Sequence, residues 1–326
     1  MDSKDPVIQW LLSSDVSIRW QVMRDLLDEP ESVWSIEKKK VEKEGWGKEL
    51  LSHQDEDGQW AGGSFAPKDV TMKEFEERQP WSSTAWVLSE LRILGLDPSS
   101  ASAQRTVKLV GENCRWDHDG QRFWDGEVEE CINGRAAADG AYFGVDMAPL
   151  IKTLLETRLE DGGWNCERER GSLRSSFDTT ISVLEGLLEF EKATGGGTPE
   201  SVKGRHSGEE YLLKRDLFRR ASTGQPIKEQ YTQLLSPSRW KYDILRGLDY
   251  MRAAYMHEGK KPDPRMKDAI EILRSKKTAD GKWLLERDLP GRRWVEMNDG
   301  VGKPSPWLTL MALRVLRWWD EAQGGN

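Results

Sequence analysis

The chain has 326 residues and a formal net charge of −8 at pH 7, which makes a nucleic-acid-binding surface an unfavourable interpretation. No apolar run approaches the ~18–20 residues of a membrane span, and the N-terminus lacks the basic and apolar segments of a signal peptide. Because the three cysteines show no framework spacing, we expect a cytoplasmic protein with no nucleic-acid partner and no membrane span.

Helical periodicity runs along most of the chain, and no segment sustains the two-residue alternation of a strand. The predicted helices cover residues 6–13, 15–28, 33–53, 82–95, 101–114, 131–143, 146–159, 176–193, 207–222, 241–257, 264–277 and 306–322. These helices can form six antiparallel pairs. We therefore predict one all-α domain over residues 1–326, in which residues 1–13 pack near the last helix.

A short phrase follows several of these helices: Asp-Gly, a brief spacer and an aromatic residue. Glycine accepts the left-handed conformation that ends a helix, and the aromatic ring can then fold over the helix ends. Three complete copies and one degenerate copy end in tryptophan: Trp60, Trp164, Trp283 and Trp124. We predict that the tryptophans of the complete copies are buried. The gap between Gly162 and Gly281 spans about two units, so an eroded copy is expected near Gly224.

The repeated phrases resemble a known superfamily. The copies at Asp57, Asp161 and Asp280, and the following helix starts such as Ser83-Thr84-Ala85-Trp86, are similar to repeats of the terpenoid cyclase and protein prenyltransferase superfamily. The chain looks most like its small, single-toroid, squalene-cyclase-related members. Over roughly residues 15 to 320 the resemblance implies an (α/α)6 toroid, with an inner ring of parallel helices and a pocket at one end of that ring.

Under this resemblance Asp178 is a candidate acid. Class II terpene cyclases carry an Asp-x-Asp-Asp-Thr motif whose middle Asp protonates an alkene or epoxide. The matching segment here is Ser176-Phe177-Asp178-Thr179-Thr180, and Asp178 holds the middle position. The flanking carboxylates that would tune a strong acid are missing. Asp178 is therefore interpreted either as a catalytic acid or as a residue that only stabilises a helix N-terminus.

Zinc is the candidate cofactor that the resemblance adds. Protein prenyltransferases hold zinc with Asp, Cys and His at inner-helix starts, and the nearest parallels here are Cys131, Cys166 and Asp178. The family's Asp-x-Cys spacing is absent. The two cysteines are either inert buried thiols or zinc or thiolate groups. The acidic run 125–130 is either a solvated loop or a negative pocket mouth that favours a cation.

A second polar group lies at another predicted inner-helix start, where Tyr242, Asp243 and Arg246 fall within about one helical turn. Asp243 and Arg246 form an i,i+3 pair, which favours a plain ion pair as strongly as a role in the pocket. Equivalent helix starts carry a tryptophan: Trp81, Trp240 and Trp307. These rings either stack within the repeat or line a cavity.

Two classes of function follow. The first is an enzyme that acts on a small, partly apolar molecule by acid/base chemistry, with a zinc-dependent enzyme as its variant; the second is a toroid that only binds a small molecule. The predicted catalytic residues are Asp178, Asp243, Tyr242 and Cys131, and the predicted binding residues are Trp81, Trp240, Arg246, Trp307 and Cys166. We expect these helix starts to converge on one cavity, because equivalent positions of a helix ring meet there.

Overall fold

The computed structural model describes residues 1–324, with Met72 described by its backbone alone. The final two residues of the predicted domain 1–326 lie outside this range. Within it the chain forms fourteen α-helices, four short 3₁₀ helices and isolated β-bridges, but no β-sheet. The predicted all-α class is therefore confirmed. Among the described residues, no helix combines the length and apolar character that crossing a bilayer requires.

The helices take the following bounds. They are α1 Pro6–Leu12, α2 Val16–Asp25, α3 Glu31–Lys38, α4 Gly45–Ser52, α5 Met72–Glu77, α6 Thr84–Leu94, α7 Ala101–Asn113, α8 Glu130–Tyr142, α9 Ala148–Glu156, α10 Phe177–Ala193, α11 Pro199–Leu213, α12 Ile244–Glu258, α13 Lys267–Ser275 and α14 Pro306–Ala322. The 3₁₀ helices are Phe123–Asp125, Cys166–Arg170, Glu229–Thr232 and Pro264–Met266.

The structure differs from the predicted helices at three places, each for a local reason. The predicted helix 33–53 is broken between α3 and α4, because Gly45 has a φ of 59°, which a continuous right-handed helix does not accommodate. The short helix α5 is missing from the prediction, although Thr71 and Glu74 form a capping box at its start. Helix α11 begins eight residues before the predicted helix 207–222, with Pro199 in its tolerated first turn, and it ends at Leu213, nine residues before the predicted end.

The described chain divides into two compact units. Unit 1 comprises residues 1–37, 209–289 and 297–324, and unit 2 comprises residues 38–208 and 290–296. In unit 1, α14 packs against α1, α2 and α12, so the predicted packing of the first helix near the last is confirmed. Arg314 joins three of these helices there, since it pairs with Asp25 of α2 and Asp249 of α12.

The core of unit 2 is the close pairing of α8 with α10. Two glycines permit it: a Cβ atom on Gly134 would lie 2.6 Å from the Ser182 carbonyl oxygen, and one on Gly186 would lie 2.5 Å from the Gly134 carbonyl oxygen. Helix α6 packs on the other side of α8, where Arg92 pairs with the buried carboxylate of Asp139 at 2.7 Å. That the chain forms one domain, and that its helices form a ring, are statements that remain predictions.

The three complete repeats share one set of contacts. Each tryptophan is fully buried, as predicted. Each indole N–H donates to the carbonyl oxygen ten residues earlier, at 2.7 Å for Trp60, 2.5 Å for Trp164 and 2.8 Å for Trp283. Each backbone N–H donates to a threonine hydroxyl in the first turns of a following helix: Thr84, Thr180 and Thr309. The repeated motif therefore joins the end of one helix to the start of a following helix.

The eroded copies form a different loop. A bridge joins Arg115 to Arg122 around Gly120, and a bridge with the same seven-residue separation joins Arg219 to Pro226 around Gly224. The expected copy near Gly224 is thus present as a loop, although it has lost the aromatic residue. Along the chain, loops closed by a backbone hydrogen bond across four residues, at glycines 58, 162 and 281, alternate with loops closed across five residues, at glycines 120 and 224. In the degenerate copy the fully buried ring is that of Phe123, whereas Trp124 is half-buried.

Candidate functional site

The predicted site residues fall in both units. Unit 2 contains Trp81, Cys131, Cys166 and Asp178, and unit 1 contains Trp240, Tyr242, Asp243, Arg246 and Trp307. Their convergence on one cavity remains a prediction, and each group is described within its own unit.

Two cysteines meet at helix starts in unit 2. Cys131 is the second residue of α8, and Cys166 is the first residue of the 3₁₀ helix Cys166–Arg170. Glu129, the N-cap residue of α8, completes the group. The two Sγ atoms and a Glu129 carboxylate oxygen all lie within 4.8 Å of one another, with Cys131 Sγ at 3.6 Å from Glu129 Oε2. We call Glu129, Cys131 and Cys166 the thiol cluster.

Thr179 directs its hydroxyl proton at one of these sulfurs. Ser176 is the N-cap residue of α10, and its hydroxyl donates to Thr179 Oγ1 at 2.9 Å. Thr179 Oγ1 also accepts the Cys166 backbone N–H at 3.3 Å. With these two donors already bound, the hydroxyl donates its own proton to Cys166 Sγ, which lies 3.4 Å away. Negative charge on the Cys166 sulfur is thereby stabilised.

The two thiols differ in acidity as a result. The neighbouring Cys131 thiol, helped by the hydrogen bond from Thr179, lowers the pKa of Cys166 to about 7 in spite of its burial. The same thiol pairing, together with burial and the nearby Glu129 carboxylate, raises the pKa of Cys131 well above its ordinary value. Cys166 is therefore the more acidic of the two thiols.

A buried ion pair holds the two cysteine segments together. Glu130, which lies between Glu129 and Cys131, is 1% exposed and accepts a hydrogen bond from Arg168 Nε at 2.7 Å. Arg168 belongs to the same short helix as Cys166. The second Glu130 carboxylate oxygen, Oε2, is buried without a hydrogen-bond partner among the described residues. Buried carboxylate oxygens are normally satisfied, so this atom is an unused acceptor beside the thiol cluster.

Two exposed apolar side chains lie in segments that are close to the thiol cluster in sequence. Asn165, directly before Cys166, donates to the carbonyl oxygen of Arg174 at 2.7 Å and so holds the loop 171–176 beside the cysteine. Leu173 in this loop is 83% exposed, and Val128, directly before Glu129, is also exposed. An exposed large apolar side chain next to polar ligand atoms suits a partly apolar ligand.

Asp178 lies one residue before Thr179 but outside the thiol cluster. It is half-buried in the first turn of α10, where Ser176 and not Asp178 provides the N-cap hydrogen bond. The predicted set of Cys131, Cys166 and Asp178 is thus replaced by one in which Glu129 joins the two cysteines. The signal in the sequence is Glu129-Glu130-Cys131, in which a glutamate takes the place of the aspartate of Asp-x-Cys.

The polar group of unit 1 is satisfied by its own backbone. Tyr242 is fully buried and donates its hydroxyl to the Leu217 carbonyl oxygen at 2.7 Å. Asp243 is the N-cap residue of α12, and its two carboxylate oxygens accept the N–H groups of Arg246 at 2.9 Å and Leu235 at 3.0 Å. Burial raises the pKa of Asp243 to about 6. These contacts give Tyr242 and Asp243 structural roles.

The remaining predicted binding residues also make structural contacts. Trp81 is buried against the edge of Trp86 at 4.9 Å between ring centroids, and Trp307 is buried in the first turn of α14. Trp240 is half-buried and stacks under the Lys241 ammonium at 3.4 Å. Arg246 donates to the Lys241 carbonyl oxygen at 2.8 Å. Stacking within the repeat therefore accounts for Trp81 more directly than a cavity lining does.

A surface groove of about 560 Å³ lies elsewhere in unit 2. Helix α5 and the segment 290–296 form its walls, and its charged lining residues are Glu74, Glu77, Arg78 and Arg292. Arg292 is held there by Asp69 at 2.7 Å. Of the predicted site residues within the described range, none lines this groove.

Comparison with known proteins gives no assignment. No family model matches the chain, and no curated protein matches it. A crystal structure of a protein from Actinoplanes is similar, with 17% sequence identity over 94% of this chain and 90% of that chain, at a TM-score of 0.44. Similarity at this level assigns neither a fold family nor an activity.

Proposed function

We propose that the protein is an enzyme acting on a small, partly apolar molecule, and that Glu129, Cys131 and Cys166 bind a zinc ion at its active site. The observation that carries the proposal is the convergence of two thiols and a carboxylate within 4.8 Å at the starts of two helices. Thiolate, imidazole and carboxylate are the ligands that zinc takes in proteins, and three protein ligands with an open position are typical of catalytic zinc sites.

The separations within the thiol cluster suit such an ion. With Zn–S distances near 2.3 Å and Zn–O distances near 2.1 Å, ligand atoms in a tetrahedral site lie roughly 3.5–3.8 Å apart. The 3.6 Å between Cys131 Sγ and Glu129 Oε2 falls in that range. Zinc binding requires deprotonated thiols, and Cys166 is already the more acidic of the pair. When bound, zinc would supply a Lewis acid and a nucleophile activated at neutral pH.

The chain's own residues then have separate tasks. Thr179 orients Cys166 by its hydrogen bond to Sγ, and the Arg168–Glu130 ion pair keeps the two cysteine segments in register. Val128, directly before Glu129, and Leu173, in the loop after the Cys166–Arg170 helix, expose apolar surface. The apolar part of a ligand covering them would gain roughly 25 cal/mol for each Å² removed from water.

The resemblance to protein prenyltransferases supports the same assignment, because Glu129-Glu130-Cys131 has the carboxylate-x-Cys spacing of that family's zinc site. The (α/α)6 toroid with its pocket, and small-molecule binding without a nucleic-acid partner, belong to this proposal. It is supported by the regular alternation of shorter and longer hydrogen-bonded loops along the chain. A cytoplasmic location also belongs to it, since the three cysteines, all in the described range, form no disulfide.

Metal analysis of the purified protein tests the proposal. We expect about one zinc ion per chain, and we expect Cys131→Ser, Cys166→Ser and Glu129→Gln to lower the zinc content sharply. The matched control is Cys114→Ser, which removes a fully buried thiol outside the thiol cluster and should retain zinc. A wild-type protein that stays free of zinc after dialysis against the ion would reject the assignment, as would equal loss from the Cys114 variant.

The acid/base alternative depends on Asp178, which stands beside Thr179 at the start of α10. Asp178→Asn keeps the shape and removes the ionisable group. Under the zinc assignment this variant retains the metal, since Asp178 lies outside the thiol cluster. Under the alternative it loses activity with an unchanged melting temperature and with no dependence of activity on zinc.

A further inference from the structure

We infer that Cys131 and Cys166 also form a reversible redox pair, which a hydroperoxide closes to a disulfide when no metal is bound. This inference goes beyond the proposed zinc function and does not rest on it, because it needs only the two sulfurs. Both are half-buried and belong to different segments of unit 2, and their Sγ atoms lie within 4.8 Å of each other. An S–S bond of ~2.05 Å closes this separation.

The surroundings give the two sulfurs different roles in the reaction. Cys166 Sγ accepts a hydrogen bond from the Thr179 hydroxyl at 3.4 Å, so it is the sulfur prepared to act as a nucleophile. The Cys131 thiol instead donates to Glu129 Oε2 at 3.6 Å. The arrangement is that of an attacking thiol next to a resolving thiol.

The reaction has two steps. Cys166 Sγ attacks one peroxide oxygen, so that an S–O bond forms and the O–O bond breaks. The sulfur becomes a sulfenic acid, and the other peroxide oxygen leaves with a proton as water, or as an alcohol when an alkyl hydroperoxide reacts. Cys131 Sγ then attacks the sulfenic sulfur, the S–S bond forms, and the hydroxyl group leaves as water with the Cys131 proton. Two thiols are oxidised and one peroxide is reduced by two electrons.

Cys114 provides a control within the same chain. It is fully buried, and burial raises its pKa to about 12, so neither access nor acidity favours its oxidation. The disulfide should therefore involve the two cysteines of the thiol cluster and no other. Since a disulfide no longer offers two thiolates, oxidation of the pair and metal binding by it exclude each other.

The test treats the full-length, chelator-stripped protein with hydrogen peroxide. We expect two of the three thiols to disappear and non-reducing peptide mapping to show a Cys131–Cys166 cross-link that dithiothreitol reverses. Cys131→Ser should stop at a sulfenic acid on Cys166 that dimedone traps, whereas Cys166→Ser should remain unoxidised under the same treatment. Cys114→Ser should form the same cross-link as the wild type.

Three persistent thiols, or cross-links that involve Cys114 or a second chain, would overturn the inference. Folding of the Cys131 and Cys166 variants is checked by the reactivity of Cys114, which stays blocked to thiol reagents in the folded chain. If a cluster variant exposes Cys114, the wild-type peptide map alone decides the result. A disulfide in a protein that never binds zinc would remove the zinc proposal and leave this one, and zinc binding without a disulfide would do the reverse.

Discussion

Two helix starts in this protein carry a similar density of reactive side chains, but they differ in how those side chains are satisfied. At the start of α12, both carboxylate oxygens of Asp243 bind backbone N–H groups, and the Tyr242 hydroxyl binds a backbone carbonyl. At the start of α8, two half-buried thiols lie beside a carboxylate, and a buried oxygen of Glu130 has no partner among residues 1–324. Unused binding capacity, and not the number of polar residues, separates a candidate site from a structural cap.

The largest expected effect is on the free energy of unfolding, and it concerns Trp164, which anchors the segment that carries Cys166. Trp164, fully buried two residues before Cys166, joins the end of α9 to the first turn of α10. Trp164→Ala should lower the free energy of unfolding by roughly 3–5 kcal/mol, because it empties a buried site of that size. Denaturant unfolding measures this change. Trp124→Ala, in the degenerate copy where the ring is half-buried, is the matched control and should cost only about 1–2 kcal/mol. Equal losses would contradict the anchoring role.

A smaller effect concerns Asp243, the structural cap of α12. Its contribution to the free energy of unfolding should depend on pH. Burial raises the pKa of Asp243 from 3.8 to about 6, so between these values the folded chain binds more protons than the unfolded chain. The unfolding free energy should therefore fall as pH rises from about 4 to 6, by at most about 3 kcal/mol. Unfolding midpoints measured across this range for the wild type and Asp243→Asn give the difference. A wild-type curve parallel to that of the variant would show that Asp243 titrates as it does in the unfolded chain.

The smallest effect concerns the acidity of Cys166. Thr179→Val keeps the side-chain shape and removes the hydroxyl that donates to Cys166 Sγ. The pKa of Cys166, about 7 in the wild type, should rise by roughly one unit, since a hydrogen bond to the charged form is lost. Alkylation of the metal-free protein by iodoacetamide, followed from pH 5 to 10 by mass spectrometry of the Cys166 peptide, measures this midpoint.

The neighbouring threonine supplies the control. Thr180 binds the backbone N–H of Trp164 at 3.0 Å, so Thr180→Val should lower the melting temperature and leave the alkylation midpoint of Cys166 in place. An unchanged midpoint in Thr179→Val, or an equal shift in both variants, would remove Thr179 from the thiol cluster. Thr179 and Thr180, although adjacent in α10, would then not have separate roles, one in the thiol cluster and one in the support of Trp164.

Local signals made most of the helices predictable. Capping serines and aspartates, and glycines with left-handed backbone, lie at the helix ends expected from the sequence, as at Gly95 after α6. The burial of the repeat tryptophans was also predictable, because the same phrase must satisfy the same helix ends each time. Predictions failed where a single glycine broke a continuous periodic pattern, as Gly45 does at the first residue of α4.

The sequence by itself therefore determined the all-α class, most helix boundaries and the buried repeat, since each depends on residues within a few turns of one another. Only the tertiary structure decided the site. Cys131 and Cys166 are 35 residues apart in sequence, and they meet where the Arg168–Glu130 ion pair joins the start of α8 to the short helix Cys166–Arg170. The choice of Glu129 over Asp178 as their neighbour depends on the direction in which each helix start faces. Neither periodicity nor motif spacing encodes that direction, because it is set by the packing of one helix against another.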